Sequence, residues 1–254
     1  MPPSRLTIPI GTDYCWYVPR SIIYSSRLKE NTGAVDVDVM RFQTSLEIEY
    51  PETDGRPMGE TDLHREWMQR IIDVLKHRYR GQRVYVSGNL LMYYEEGDPS
   101  HFVVPDAMVV KDCDPGRRRI FKVWEEGRVP SAVFETTSRS TKREDSSYKT
   151  QLYEQLRIPE YVLYDPTADY LRPPLQGWRL SVDHYEPIEP DAAGRIHCQE
   201  LGLWLRLEDG DLVMYDCQTG ELLLTEAESE RAAREAAEAE IQRLRAKLRE
   251  QGTS

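Results

Sequence analysis

Two carboxylates stand where carboxylates are costly. Asp106 follows Pro105 inside the apolar run 101–110 (HFVVPDAMVV), and Glu135 lies near the end of the apolar run 131–136 (SAVFET). An ionised acid inside a strand must be paired, hydrogen-bonded or metal-bound. If two neighbouring strands deliver these acids to one edge, they form a hard oxygen site suited to Mg²⁺ or Mn²⁺. A metal held there can activate water and stabilise charge on a phosphate. Lys149 follows Asp145 by four residues, which puts both on one helix face and lets Lys149 bring an ammonium to the same place. Glu60 and His64 are also four apart, at the entrance to an earlier helix. Each residue has a plainer role open to it. Asp106 could serve a turn or cap, and Glu135 a surface arginine. Asp145 and Lys149 could be an exposed helix pair, and His64 a satisfied helix histidine. Joint occurrence on successive elements favours the site.

Those elements are legible in the periodicity. Leu63, Trp67, Ile71, Val74, Leu75 and Tyr79 recur at helical spacing, with Thr61 or Asp62 as N-cap and Gly81 as stop. Residues 84–94 (VYVSGNLLMYY) read as a strand with a bulge at Gly88. A second strand, 101–110, is interrupted by Pro105, and the triplet Arg117, Arg118, Arg119 lies in the long connection after it. Residues 131–136 read as a short buried strand, about 142–157 as a helix, and 160–165 (EYVLYD) as a strand ended by Pro166. The order is helix, strand, strand, strand, helix, strand. Residues 177–224 look like β meander, with a hairpin signal at Glu208-Asp209-Gly210. Thr225-Glu226-Ala227-Glu228 is a capping box that opens a long helix of Ala, Glu and Arg. Ile241, Leu244 and Leu248 give that helix a weak coiled-coil seam, a solvated tail helix being the other reading. The expected organisation is an N-terminal extension 1–58 of uncertain structure, a core 59–186, a β-rich extension 187–224 and a charged helix 225–254.

Composition narrows the class. A chain of 254 residues is one large domain, or one with an appendage, and can bury a sizeable core. No apolar run approaches 18 residues, which argues against a membrane-spanning helix. The opening residues MPPSR lead into no apolar stretch, which argues against a secretory signal. Cys15, Cys113, Cys198 and Cys217 are scattered without a CxxC pair. They fit thiols in a reducing compartment, not a disulfide frame or a zinc site. The net charge of −11 lacks the global basic footprint of a nucleic-acid binder. Charge is uneven, however: residues 30–66 hold ten acids and three bases, and residues 111–143 hold nine bases and five acids. A local basic surface can therefore coexist with the acidic total, although either patch also reads as a solvated face.

The core order and its acids resemble the PD-(D/E)XK nuclease superfamily. More closely, the chain is similar to the Uma-two family of bacterial restriction-endonuclease-like proteins, abundant in cyanobacteria. The resemblance is carried by residues 51–64 (PETDGRPMGETDLH), 103–110 (VVPDAMVV), 133–141 (VFETTSRST), 143–153 (REDSSYKTQLY) and 158–166 (IPEYVLYDP). It implies an α/β fold of restriction-endonuclease type, a mixed sheet flanked by helices. It also implies that Asp106 and Glu135 bind Mg²⁺ or Mn²⁺, with Glu60 as a further acid that binds a second metal or orients water. A strict ExK motif would place lysine two residues after Glu135, where this chain has Thr137. The resemblance supplies a substitute from the following helix, Lys149, with Lys142 as the weaker candidate. The implied activity is a metal-dependent endonuclease acting on DNA, with Arg117, Arg118 and Arg119 as candidate phosphate contacts. A bacterial cytoplasm and a homodimer, joined by the terminal helix, complete the expectation. The displaced lysine and the acidic charge keep an alternative open: a nuclease-like module that binds nucleic acid or a partner without cutting. A third and weaker reading is a metal-dependent hydrolase of small phosphoesters.

Overall fold

The first apolar stripe becomes α1 (Asp62–Arg78), capped by the Thr61 hydroxyl, which accepts from the His64 N–H at 3.2 Å. Its buried residues are His64, Trp67, Met68, Ile71, Ile72, Val74 and Leu75. Leu63, expected on this face, is exposed instead, because the stripe begins one residue later at His64. The computed structural model describes residues 48–55, 61–138 and 144–251. The expected roles of Glu60 and Lys142 lie outside the described residues, as do almost all of residues 1–58 up to Glu47.

Twelve strands follow in three sheets among the described residues: β1 (Val84–Ser87), β2 (Met92–Tyr93), β3 (Phe102–Val103), β4 (Ala107–Lys111), β5 (Phe121–Lys122), β6 (Ala132–Thr136), β7 (Glu160–Tyr164), β8 (Leu175–Ser181), β9 (His184–Pro187), β10 (Ile196–Cys198), β11 (Leu203–Glu208) and β12 (Asp211–Asp216). A short helix α2 (Val123–Glu126) follows β5. Between β6 and β7 a π-helical turn, Glu144–Lys149, runs into α3 (Thr150–Gln155). The chain ends in α4 (Glu226–Gln251). The main sheet has the order β1-β4-β6-β7-β8-β9. It is antiparallel except for the β6–β7 pair, which is parallel and joined by the helical crossover. This is a mixed α/β fold with the core order read from the sequence, and a small sheet β3-β2-β5 is inserted into it.

Both faces of the central strands are covered, so β4, β6 and β7 read as unbroken apolar runs instead of alternating ones. Along β6, Ala132 and Phe134 pack with Trp67, Ile71 and Leu75 of α1. Val133, on the opposite face, packs with Leu152 and Tyr153 of α3. The first core also takes Leu203, Leu205, Leu212 and Met214, so the sheet β10-β11-β12 shares the hydrophobic interior of α1. Glu160 links the two sheets. It is fully buried and accepts from Arg179 Nε at 2.9 Å, from the N–H groups of Gln199 and Glu200 at 2.9 Å each, and from the Cys198 thiol at 2.9 Å. Burial first, and then the nearby Glu160 charge, push the Cys198 thiol well above its ordinary pKa, so it remains a donor.

Two expected strands divide in the structure. Residues 84–94 break after Ser87, and residues 101–110 break at Val104-Pro105-Asp106. The two breaks touch. A Cβ on Gly88 would lie 1.9 Å from the Asp106 carbonyl oxygen, and the Asn89 N–H donates to the Pro105 carbonyl at 2.8 Å. Asn89 turns the chain with a φ of 49°, a left-handed conformation that asparagine tolerates. The hairpin at Asp209-Gly210 and the Thr225–Glu228 capping box form as read, but the meander expected over 177–224 divides, with β8 and β9 extending the main sheet and β10–β12 forming their own.

Asp165 closes β7. It is 1% exposed and accepts from the N–H groups of Tyr170 (2.6 Å), Leu171 (2.9 Å) and Thr167 (3.1 Å), and from the Thr167 hydroxyl (2.8 Å). Burial pushes its carboxyl up, but these hydrogen bonds outweigh burial and hold it below the usual aspartate value. A depressed folded-state pKa gives stability that is present above the unfolded value, about 3.9, and lost as pH falls through the folded one. Asp165→Asn is expected to cost about 1–3 kcal/mol at neutral pH. Denaturant unfolding of the variant between pH 7 and 3 should show a smaller acid-induced loss than the wild type.

Candidate active site

The register of β4 on β6 brings the two acids together. Ala107 pairs with Phe134, so one step further Asp106 comes opposite Glu135. The Asp106 N–H donates to Glu135 Oε2 at 3.3 Å. Asp106 Oδ2 accepts from the Thr136 N–H at 2.7 Å and meets His64 Nε2 at 3.1 Å. The Asp106 carboxylate thus sits across the end of β6 and against the first turn of α1. Its second oxygen, Oδ1, takes no part in these hydrogen bonds, and the side chain is 15% exposed.

Glu135 is held differently. Its side chain has no exposure, and it extends from the strand face that carries α3. Lys149 Nζ donates to Glu135 Oε2 at 2.8 Å and to the Val104 carbonyl at 3.2 Å. The Tyr153 hydroxyl donates to Glu135 Oε1 at 2.6 Å. Burial first, and then the Glu135 charge, raise the Tyr153 pKa well above its ordinary value, so the phenol keeps its proton. Lys149 and Tyr153 are four residues apart across the junction of the π-helical turn with α3, which aims both at one carboxylate. Wider π turns recur at functional sites because they redirect side chains that a regular helix would place elsewhere.

The structure therefore brings Asp106, Glu135 and Lys149 into one hydrogen-bonded cluster. His64 and Tyr153 join them. Sequence reasoning gave His64 a plain helical role, and its position on the apolar stripe of α1 was the available signal. Tyr153 reads from the sequence as a core or site-wall residue, and it is buried with its hydroxyl on Glu135. The arginine triplet is spread over different roles. Arg118 donates to Glu126 Oε2 at 2.9 Å and lies 4.1 Å over the Tyr85 ring, where it fastens the loop before β5. Arg119 pairs with Glu52 at 2.6 Å, and Arg117 is exposed.

The donor set suits a hard cation. Two neighbouring carboxylates, one with an oxygen outside the hydrogen-bond network, match Mg²⁺, which is bound through one or two carboxylates and keeps several waters. Among the described residues no group of three or more His, Cys, Asp or Glu side chains could hold an ion.

Two substitutions probe this construction. Gly88→Ala places a methyl group against the Asp106 backbone and Ile72, and is expected to cost about 1–3 kcal/mol in thermal unfolding. Lys149→Met leaves a buried carboxylate without its cation, and is expected to cost about 3–5 kcal/mol. Adding Glu135→Gln should recover much of that loss in a double-mutant cycle followed by urea unfolding.

The sequence model of the family Uma2, described as "Putative restriction endonuclease", matches residues 36–208. Among solved structures the chain is similar to a "putative nuclease belonging to DUF820 from Anabaena variabilis ATCC 29413". The identity is 18% and the TM-score 0.40, over 58% of this chain and 83% of that one. No curated protein matches. The match of a family model to well over half of the sequence, on a fold with the expected core order, places this chain in the Uma2 family of restriction-endonuclease-like proteins.

Proposed function

We propose that the protein is a metal-dependent endonuclease that hydrolyses phosphodiester bonds in DNA at the Asp106–Glu135–Lys149 cluster. The observation that most supports this reading is the 2.8 Å contact of Lys149 with Glu135. It brings an ammonium from the helical segment to the acid whose strand lacks the lysine of a strict ExK motif. Asp106 and Glu135 would hold Mg²⁺ or Mn²⁺, and Glu60 would add a further acid. When bound, such a cation supplies charge neutralisation at the phosphate and a more acidic water.

The protein's own groups do the rest. Asp106 and Glu135 set a negative centre at one end of the interior strands β4 and β6. The Thr136 N–H and His64 orient the Asp106 carboxylate and leave Oδ1 directed away from them. Tyr153 keeps its proton on its own oxygen and so fixes Glu135 without competing as a base. Lys149 carries the charge that orients an attacking water and stabilises the developing negative charge on the phosphate. Arg117 and Arg119 are the exposed members of the triplet and the candidates to meet a phosphate backbone, since Arg118 is held by Glu126.

The test is plasmid cleavage in Mg²⁺ or Mn²⁺, with wild type beside Asp106→Asn, Glu135→Gln and Lys149→Met. The expected outcome is metal-dependent cutting that falls by about 100-fold or more in each variant. Folded wild type that binds DNA in a salt-dependent way without cutting it would replace this reading with that of a binding module.

A further inference from the structure

Among the described residues, the contacts that tie α4 to the body lie at its start. The Thr225 hydroxyl accepts from the Glu228 N–H at 3.2 Å, Glu228 pairs with Arg70 of α1 at 2.5 Å, and Glu226 pairs with Arg80. From residue 231 to residue 249 every residue is exposed. In proteins most helical stability comes from packing of an apolar face. Such a face is present. Ile241, Leu244 and Leu248 are 48%, 49% and 68% exposed, at the three- and four-residue spacing of a coiled-coil seam. Charge along the helix is also segregated. Residues 226–240 carry six acids and two bases, whereas residues 241–249 carry four bases and no acid.

We propose that the end of α4 pairs with α4 of a second copy of this chain in antiparallel orientation. The register that closes the apolar seam sets Ile241 of each helix against the partner's Leu244, and Leu248 against the partner's Ala237. The flanks then match in charge. Glu240 comes beside the partner's Lys247, and Glu238 beside the partner's Arg245, each contact occurring twice by symmetry. A parallel pair is disfavoured by the same sequence. Continued upstream, its seam would set Arg234 against Arg234 and Glu230 against Glu230, like charge on like charge. In the antiparallel register Arg234 reaches only the end of the overlap, and Glu230 lies beyond it. Within one helix Glu240 already contacts Arg243 at 2.9 Å and Glu238 contacts Arg234 at 3.9 Å. These are exposed pairs one turn apart, which contribute little and yield readily to a new partner.

The pairing is independent of the nuclease reading, because it is measured by association alone. Sedimentation velocity of the full chain over a concentration series should show a reversible monomer–dimer equilibrium. Leu244→Glu should be monomeric while its far-UV circular dichroism still shows a folded body. Glu240→Lys should weaken the dimer by about tenfold, and adding Lys247→Glu should restore it. A parallel pair would behave differently: the lysine at 240 would then face the partner's Arg245, and the second change would not repair it. The proposal is overturned if wild type stays monomeric up to about 0.1 mM, or if Glu240→Lys with Lys247→Glu dimerises no better than Glu240→Lys alone.

Discussion

A carboxylate with no solvent exposure governs the arrangement of this protein. Glu135 lies one residue from the end of a strand whose two faces are both covered, so water cannot satisfy it. Leaving such a charge unpaired would cost several kcal/mol or force it to take up a proton. The structure meets that demand from three directions: the Lys149 ammonium, the Tyr153 hydroxyl and the Asp106 N–H. Each donor constrains its own element. Lys149 and Tyr153 fix the rotation of the helical crossover on the sheet. The Asp106 N–H fixes the break between β3 and β4. The same interactions that make the acid tolerable therefore assemble the candidate site.

The two buried glutamates of the central strands show how environment separates structure from chemistry. Glu160, at the start of β7, is surrounded by Arg179, the Cys198 thiol and two backbone N–H groups. It joins two sheets and has little acceptor capacity left for anything else. Glu135, at the far end of the parallel neighbour β6, lies beside a second carboxylate that is partly open to solvent. Two acids at one end of neighbouring strands repel one another unless a cation stands beside them, and here Lys149 supplies one at 2.8 Å from Glu135. Asp106 also ties α1 to β6 through His64 and Thr136. Gly88 makes room for this, since any larger residue would collide with the Asp106 backbone.

Much of this was legible in the sequence. The apolar stripe of α1, the unbroken runs of β4, β6 and β7, the turn at Asp209-Gly210 and the capping box at Thr225 are local patterns. Local patterns follow from helical and strand periods that the sequence carries directly. Asp106 and Glu135 stood out for the same reason, as acids inside apolar runs, and Lys149 by its spacing from Asp145 and by the family resemblance. What the sequence does not carry is distance between elements. It gave no register for β4 on β6, and register alone makes Asp106 and Glu135 opposite each other. Gly88 and Pro105 marked irregularities in residues 84–94 and 101–110, but nothing local showed that the two breaks meet, since that contact joins segments distant in the chain.

The residue types, their order and the element sequence were thus determined by the chain alone, and with them the family and the candidate acids. Tertiary structure decided the rest. It assigned His64 to Asp106 instead of to a plain helical role, it gave Tyr153 its acceptor, and it held Arg118 on Glu126 within the arginine triplet. The physical reason is the range of the forces. Periodicity is fixed by backbone geometry over a few residues. The fate of a buried polar group depends on which distant donor the packing brings within about 3 Å.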